Sequence, residues 1–192
     1  GLAVSFKNVS TAMVWQASSE FVKDFQNGTN FNPINKADYA SIASDRGATD
    51  NINRILGYQN TQVLLAYNAY CKANGKDDYI VHFPARNPAP ANSTGWFLPS
   101  EKELHMLCYK DVDDVYKQSN DTYIQTRDIV NASLQTAGGN PLGAYSYWSS
   151  SEDASYRDLA FVVELGNAYV RTEYKKGSSV IHGCRVRAVC AF

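Results

Sequence analysis

The sequence predicts an α+β fold, with helices in the middle of the chain and antiparallel strands towards both ends. Three observations carry that expectation. Apolar residues recur with a helical period in the region from 61 to 137. After Tyr147 they alternate with a period of two, and Leu2, Val4 and Phe6 alternate in the same way at the start of the chain. The 192 residues are enough to enclose a sizeable core, so the simplest reading is one domain spanning 1–192.

In chain order, Leu2–Phe6 reads as an edge or closing strand, and Met13–Trp15 is a second apolar patch after a turn at Ser10–Thr11. Residues 25–38 are rich in Asn, Gly and Pro and read as a loop. Thr49-Asp50-Asn51 offers a cap for a short helical pattern at Ile52, Ile55 and Leu56. Val63, Leu64, Ala66, Tyr67, Tyr70 and Cys71 place a helix over 61–73, stopped at Asn74-Gly75. Residues 83–95 carry three prolines and read as a long connection. Ser100 and Glu103 then form a capping box, and Leu104, Leu107 and Cys108 give that helix a buried stripe. A further helix is expected over 122–137, with Ile124, Ile129, Ala132 and Leu134 near one side and Gly138-Gly139 as its stop. Ala160–Leu165 and Ala168–Tyr174 flank Gly166-Asn167 and read as a hairpin. The final strand places Val186, Ala188, Cys190 and Phe192 on one face, with Arg185 and Arg187 on the other. The two arginines are expected to pair with acidic residues on neighbouring strands.

Composition narrows the function. A net charge of −1 supplies no basic field for nucleic acid or an anionic membrane. No apolar run approaches the ~20 residues of a membrane helix. The chain opens on Gly1 without a signal peptide, as a mature secreted protein or a fragment of a longer chain would. Asn8, Asn27, Asn92, Asn120 and Asn131 are Asn-x-Ser/Thr sites, about two of which chance supplies in an Asn- and Ser-rich chain; taken alone they suggest a secreted eukaryotic protein, a reading that the bacterial resemblance below overrides. Thirteen tyrosines against eight phenylalanines suit surfaces that are half buried and half wet, whether core margins or recognition surfaces.

Cys71, Cys108, Cys184 and Cys190 match no zinc spacing and allow three pairings. On one straight strand Cys184 and Cys190 would lie ~20 Å apart, too far to bridge each other. Any bridge from them must reach a helix cysteine; the other possibility is four buried thiols. Carboxylates and hydroxyls at Ser149–Asp153 and Asp111–Asp114 have no spacing that dictates a calcium cage, so no metal and no cofactor are expected. His82, His105 and His182 fall on unlike elements and support neither a triad nor a zinc site.

The order GWFLPSEKEL (Gly95–Leu104), then GGNPLGAYSYWSSSE ending at Glu152, then a hairpin, then VRAVCAF at the C-terminus resembles a bacterial domain family with a C-type-lectin-like fold. That family is typified by the C-terminal domain of a collagen-like adhesin and is similar to the formylglycine-generating-enzyme branch of the fold. GLAVSFKNVSTAMVW matches its opening strand, and ATDNINRI precedes the first helix as the family leads one to expect. The resemblance is loose over 16–48 and 76–94. It implies antiparallel sheets, two or three packed helices, and N- and C-terminal strands that pair. It also implies a surface-displayed bacterial binding or adhesion module for a glycan or protein, outside the cell and part of a longer surface protein. Alternatives are a structural cap of a fimbria or phage tail fibre, or an oxidase of the formylglycine-generating type. The sugar-binding calcium motifs of C-type lectins are missing, and the Cys184/Cys190 spacing differs from that of the copper-binding pair. Cys190 stands where the family commonly has Arg, and Cys108 where it has an aromatic or aliphatic residue. The resemblance implies a Cys71–Cys190 bridge, leaving Cys108–Cys184 as the second pair.

Within YWSSSE, Trp148 is expected in the core beneath the loops, with Ser149–Ser151 capping backbone groups. Ligand contact is expected on a rim of Glu152, Asp153, Tyr156, Arg157, Tyr169, Arg171 and Tyr174, because Tyr and Arg with short polar residues compose adaptable recognition surfaces.

Overall fold

The backbone places its apolar residues on both faces of one mixed sheet. The structure is a computed structural model that describes residues 1–45, 51–76, 88–109, 115, 123–177 and 184–192. In chain order the strands are β1 (Leu2–Val4), β2 (Ser10–Met13), β3 (Ala43–Ser44), β4 (Ser146–Asp153), β5 (Leu159–Glu164), β6 (Tyr169–Tyr174), β7 (Cys184–Val186) and β8 (Val189–Ala191). The helices are α1 (Val22–Asn27), α2 (Gly57–Ala73), α3 (Glu101–Met106) and α4 (Tyr123–Thr136), with a 3₁₀ turn at Lys36–Asp38. The protein is therefore α+β, with one helix more among the described residues than the resemblance implies.

The terminal strands pair antiparallel, with Leu2 opposite Ala191 and Val4 opposite Val189. The main sheet runs β2-β7-β4-β5-β6, and β3 joins β4 beyond the point where β7 leaves it. Here the expectation of purely antiparallel sheets fails: β3–β4 and β4–β7 are parallel. Parallel neighbours need long crossovers, and the segment carrying α2, α3 and α4 supplies one between β3 and β4. The predicted single last strand is also two. It breaks at Arg187-Ala188, so β7 belongs to the large sheet and β8 to the pair with β1.

Side-chain alternation sorts the core into two clusters. Trp148, Ala160 and Val162 face Val63, Leu64, Tyr67, Phe25 and Trp15, under α1 and α2. Tyr147, Phe161 and Val163 face Leu104, Leu107 and Leu134, under α3 and α4. With both faces covered, β5 is buried from Ala160 to Val163, which is why its sequence is a continuous apolar run. Each such aromatic or aliphatic burial contributes about 1.5–3 kcal/mol.

Local signals set the helix ends. Gly75, at φ +63°, lets Lys76 N–H return to Cys71 O at 2.9 Å and close α2. The capping box at α3 is formed: Glu103 N–H donates to Ser100 Oγ, and Ser100 N–H to Glu103 Oε2 at 2.7 Å. The same Oε2 accepts Gly57 N–H at 3.0 Å, so one carboxylate starts both α2 and α3. A Cβ at Gly57 would lie 2.1 Å from that oxygen, which explains the glycine.

Several expectations change. Ser10–Thr11 is strand, not turn, and α1 occupies part of the predicted loop at 25–38. Residues 51–53 are turn, with Ile52 buried and Ile55 exposed, so no helix starts there; Thr49 and Asp50 lie outside the described residues. Ile129 faces solvent and Leu134 is buried, while the side chain of Ile124 lies outside the described residues. Residues 83–87 of the predicted 83–95 connection, His82, His182, Asn120 and Asp111–Asp114 also lie outside the described residues.

Candidate functional site

The YWSSSE run is the middle of the sheet. Trp148 is buried and donates Nε1–H to Met13 O at 2.6 Å, while Trp15 Nε1–H reaches Ser149 O at 2.9 Å. The serines are buried and form a polar seam with the neighbouring helices. Ser151 Oγ–H donates to Glu101 Oε2 at 2.8 Å, and Asn60 Nδ2 donates to Ser150 and Ser151 Oγ at 3.2 and 3.1 Å. Burial pushes the Glu101 carboxyl up to about 7, only partly offset by its hydrogen bonds, and it raises Glu103 as well.

The seven residues of the expected rim do not converge. Glu152 and Asp153 are buried and have structural roles. Glu152 accepts Val22 N–H at 3.0 Å and Lys23 N–H at 2.6 Å, capping α1, and it pairs with the buried Lys175 at 2.6 Å. Asp153 Oδ1 accepts Ser155 and Tyr156 N–H at 2.9 and 3.0 Å and shapes the β4–β5 turn. Placing these two carboxylates on a rim is corrected accordingly: β4 runs two residues further than the aromatic–serine signal suggests, under α1. Tyr156, Tyr174 and Tyr169 are 56%, 54% and 45% exposed, and Arg157 is exposed beside Glu20 at 3.5 Å. Leu159 pairs with Tyr174 but Glu164 with Tyr169, so Tyr174 stands at the β4–β5 turn and Tyr169 at the other end of the hairpin. Strand alternation also puts Tyr174 on the face opposite Tyr169 and Arg171. Arg171 lies against the sheet, donating to Ser146 Oγ at 2.9 Å and pairing with Glu173.

A concave site lies elsewhere, where β7 meets the β1–β2 connection and the segment before β4. This pocket of about 540 Å³ is lined by Lys7, Asn8, Val9, Ser10, Asn140, Pro141, Gly143, Tyr145 and Arg185. Arg185 lies over the Tyr145 ring at 3.3 Å from its centroid. Arg187 is fully buried beside it and bonds Asn8 Oδ1, Asn140 O and Phe6 O at 3.0, 2.7 and 3.2 Å; burial pushes it down to about 10. Neither arginine has the acidic cross-strand partner expected for it among the described residues: one stacks on a ring and the other satisfies an amide and two carbonyls. No local signal reveals this pocket, since its walls come from the two ends of the chain and from residues 140–145.

All four cysteines are buried, and none is in a disulfide. The pairings Cys71–Cys190 and Cys108–Cys184 are not formed. The break in the last strand separates Cys190 from Cys184 into different sheets, and Cys71 shares its core with Cys184 while Cys108 packs in the other cluster. Burial pushes Cys108 up to about 12 and Cys184 up to about 11, and it raises Cys190, which makes these poor nucleophiles. Among the described residues no three His, Cys, Asp or Glu side chains gather where they could hold a metal ion. No described helix is long and apolar enough to cross a membrane.

The fold thus defines an α+β domain built on a mixed sheet, with terminal strands paired. It is similar to the crystal structure of a fimbrial protein from Bacteroides ovatus ATCC 8483, with a TM-score of 0.63 and 19% identity. The likeness covers 100% of this chain and 36% of that one. No protein-family description and no curated protein matches the sequence.

Proposed function

We propose that this chain is a non-enzymatic binding domain of a bacterial surface appendage, with a C-type-lectin-like fold and a glycan or protein ligand met outside the cell. The observation that carries the reading is the likeness to a fimbrial protein along the whole chain. The exposed side chains support it. Tyr156, Arg157 and Tyr174 form an aromatic and cationic edge at the β4–β5 turn, the residue types that dominate binding energy when buried by a partner. The alternative of an oxidase is disfavoured by thiols that are buried and held protonated, with Cys184 and Cys190 in different sheets.

The purified domain, applied to arrays of glycans and of immobilised extracellular proteins, is expected to show saturable binding. Tyr156→Ala with Tyr174→Ala is expected to weaken it at least fivefold while leaving the denaturation midpoint within error. A folded domain with no saturable binding sinks the reading. The fimbrial likeness also favours a second reading, a structural subunit, since β1 pairs on one side only and leaves an edge free among the described residues. Assembly of the domain into oligomers with no array signal supports that reading.

A further inference from the structure

We propose that the pocket beside β7 binds an acidic sugar, a pyranose carrying a carboxylate or a sulfate. Its volume of about 540 Å³ falls in the ~300–1,000 Å³ range of small-molecule sites. Its charge is one-sided. Lys7 and Arg185 line it, no Asp or Glu does, and neither cation makes an ion pair among the described residues. In a chain whose acidic residues outnumber its basic ones, 19 to 18, such a recess is not an average piece of surface.

Two of the donor side chains, Arg185 and Asn8, already have partners within the domain before any ligand arrives. The Arg185 guanidinium rests on the Tyr145 ring, 3.3 Å from its centroid, and its fork suits a planar or tetrahedral anion. Arg187 clamps the two walls from below, through Asn8 Oδ1 on one side and Asn140 O on the other, and Asn140 N–H ties the walls again by bonding Phe6 O at 2.7 Å. Because Arg187 occupies the acceptor of the Asn8 amide, its Nδ2 donors are left for a ligand. A site with an ammonium, a guanidinium and an oriented amide is donor-rich and suits an anion. The Ser10 hydroxyl and the Asn140 amide add groups of the kind that meet sugar hydroxyls. Walls fixed in advance lower the ordering cost of binding.

The biological use of this pocket rests on the binding-domain reading, but its chemistry can be tested alone. Amide chemical shifts of the ¹⁵N-labelled domain are followed while glucuronic acid, glucose 6-sulfate, glucose or inorganic sulfate is added. At least one acidic sugar is expected to move the resonances of Lys7–Ser10, Asn140 and Gly143–Tyr145 saturably, with glucose at least tenfold weaker. The arm that binds more tightly names the anion as carboxylate or sulfate. Lys7→Ala and Arg185→Lys, which keep the fold, are expected to weaken binding at least fivefold, whereas Lys72→Ala, which removes an exposed cation in the last turn of α2, leaves it unchanged. Equal binding of glucose, equal binding of inorganic sulfate, or no saturable shift in the pocket overturns the proposal. Array binding that depends on Tyr156 and Tyr174, with no pocket shifts, refutes the pocket alone. Pocket titration without any array binding upholds the pocket and refutes the adhesive reading.

Discussion

Replacing Glu101 with glutamine is expected to make the domain more stable at alkaline pH and no more stable in acid. Glu101 is fully buried at the start of α3, and that burial outweighs the hydrogen bonds from its own backbone amide, Ser151 and Ser149, lifting its pKa from 4.5 to about 7. A folded-state pKa above the unfolded one means that the native chain keeps a proton which the unfolded chain releases. The stability associated with that proton is fully present below pH 4.5 and is lost as pH rises through 7. The change corresponds to about 3 kcal/mol. Glu103 titrates in the same direction, so the comparison must be between variants and not along one curve. Glutamine keeps the shape and an acceptor for Ser151 but never ionises. Urea unfolding followed by tryptophan fluorescence, with Trp15 and Trp148 as buried reporters, gives the free energies from pH 4.5 to 8.5. The advantage of Glu101→Gln over the parent should be near zero at the acid end, grow through pH 7, and level off at about 3 kcal/mol. A difference that does not vary with pH, or a parent that is the more stable at pH 8, refutes the assignment of a buried, proton-holding carboxyl.

Glu103→Ala should cost more than Ser100→Ala, because it strands the buried amides of Gly57 and Ser100 together, at about 1–3 kcal/mol each, against about 1 kcal/mol for the lost hydroxyl cap. Denaturation midpoints at pH 8 that rank the two the other way contradict the shared start of α2 and α3. In the native protein all four thiols should resist a thiol-titrating reagent at pH 8 and react completely after unfolding, and fewer than four in the unfolded chain would mean that a bridge forms.

Short-range signals were the readable ones. The Ser100/Glu103 box, the Asn74-Gly75 stop and the turn around Gly166-Asn167 each lie within a few residues, so their chemistry can be read without a fold. Even so, sequence spacing alone makes Glu103 the junior partner of Ser100; its bond to Gly57 joins residues far apart in the chain. The alternation after Tyr147 found β5 and β6, but alternation says which residues share a face, not whether a face meets water. Glu152 and Asp153 look like rim carboxylates for that reason, and only α1 and the buried Lys175 show that they are interior. The terminal strand reads as continuous because Arg187 keeps the phase, although its burial against Asn8 and Asn140 marks the place where the chain leaves one sheet for another. The Arg185 pocket left no trace in any window, since three distant segments build it.

The pairing of β1 with β8 puts Gly1 N within 3.4 Å of Phe192 O, so the chain enters and leaves the domain through one doorway. Such an arrangement can be spliced into a loop of another domain without spreading that loop. It also decides how the domain answers to force. Tension between the two ends opens the strands like a zipper, breaking one hydrogen bond at a time, and the first element to yield is the three-residue pair rather than the doubly covered sheet.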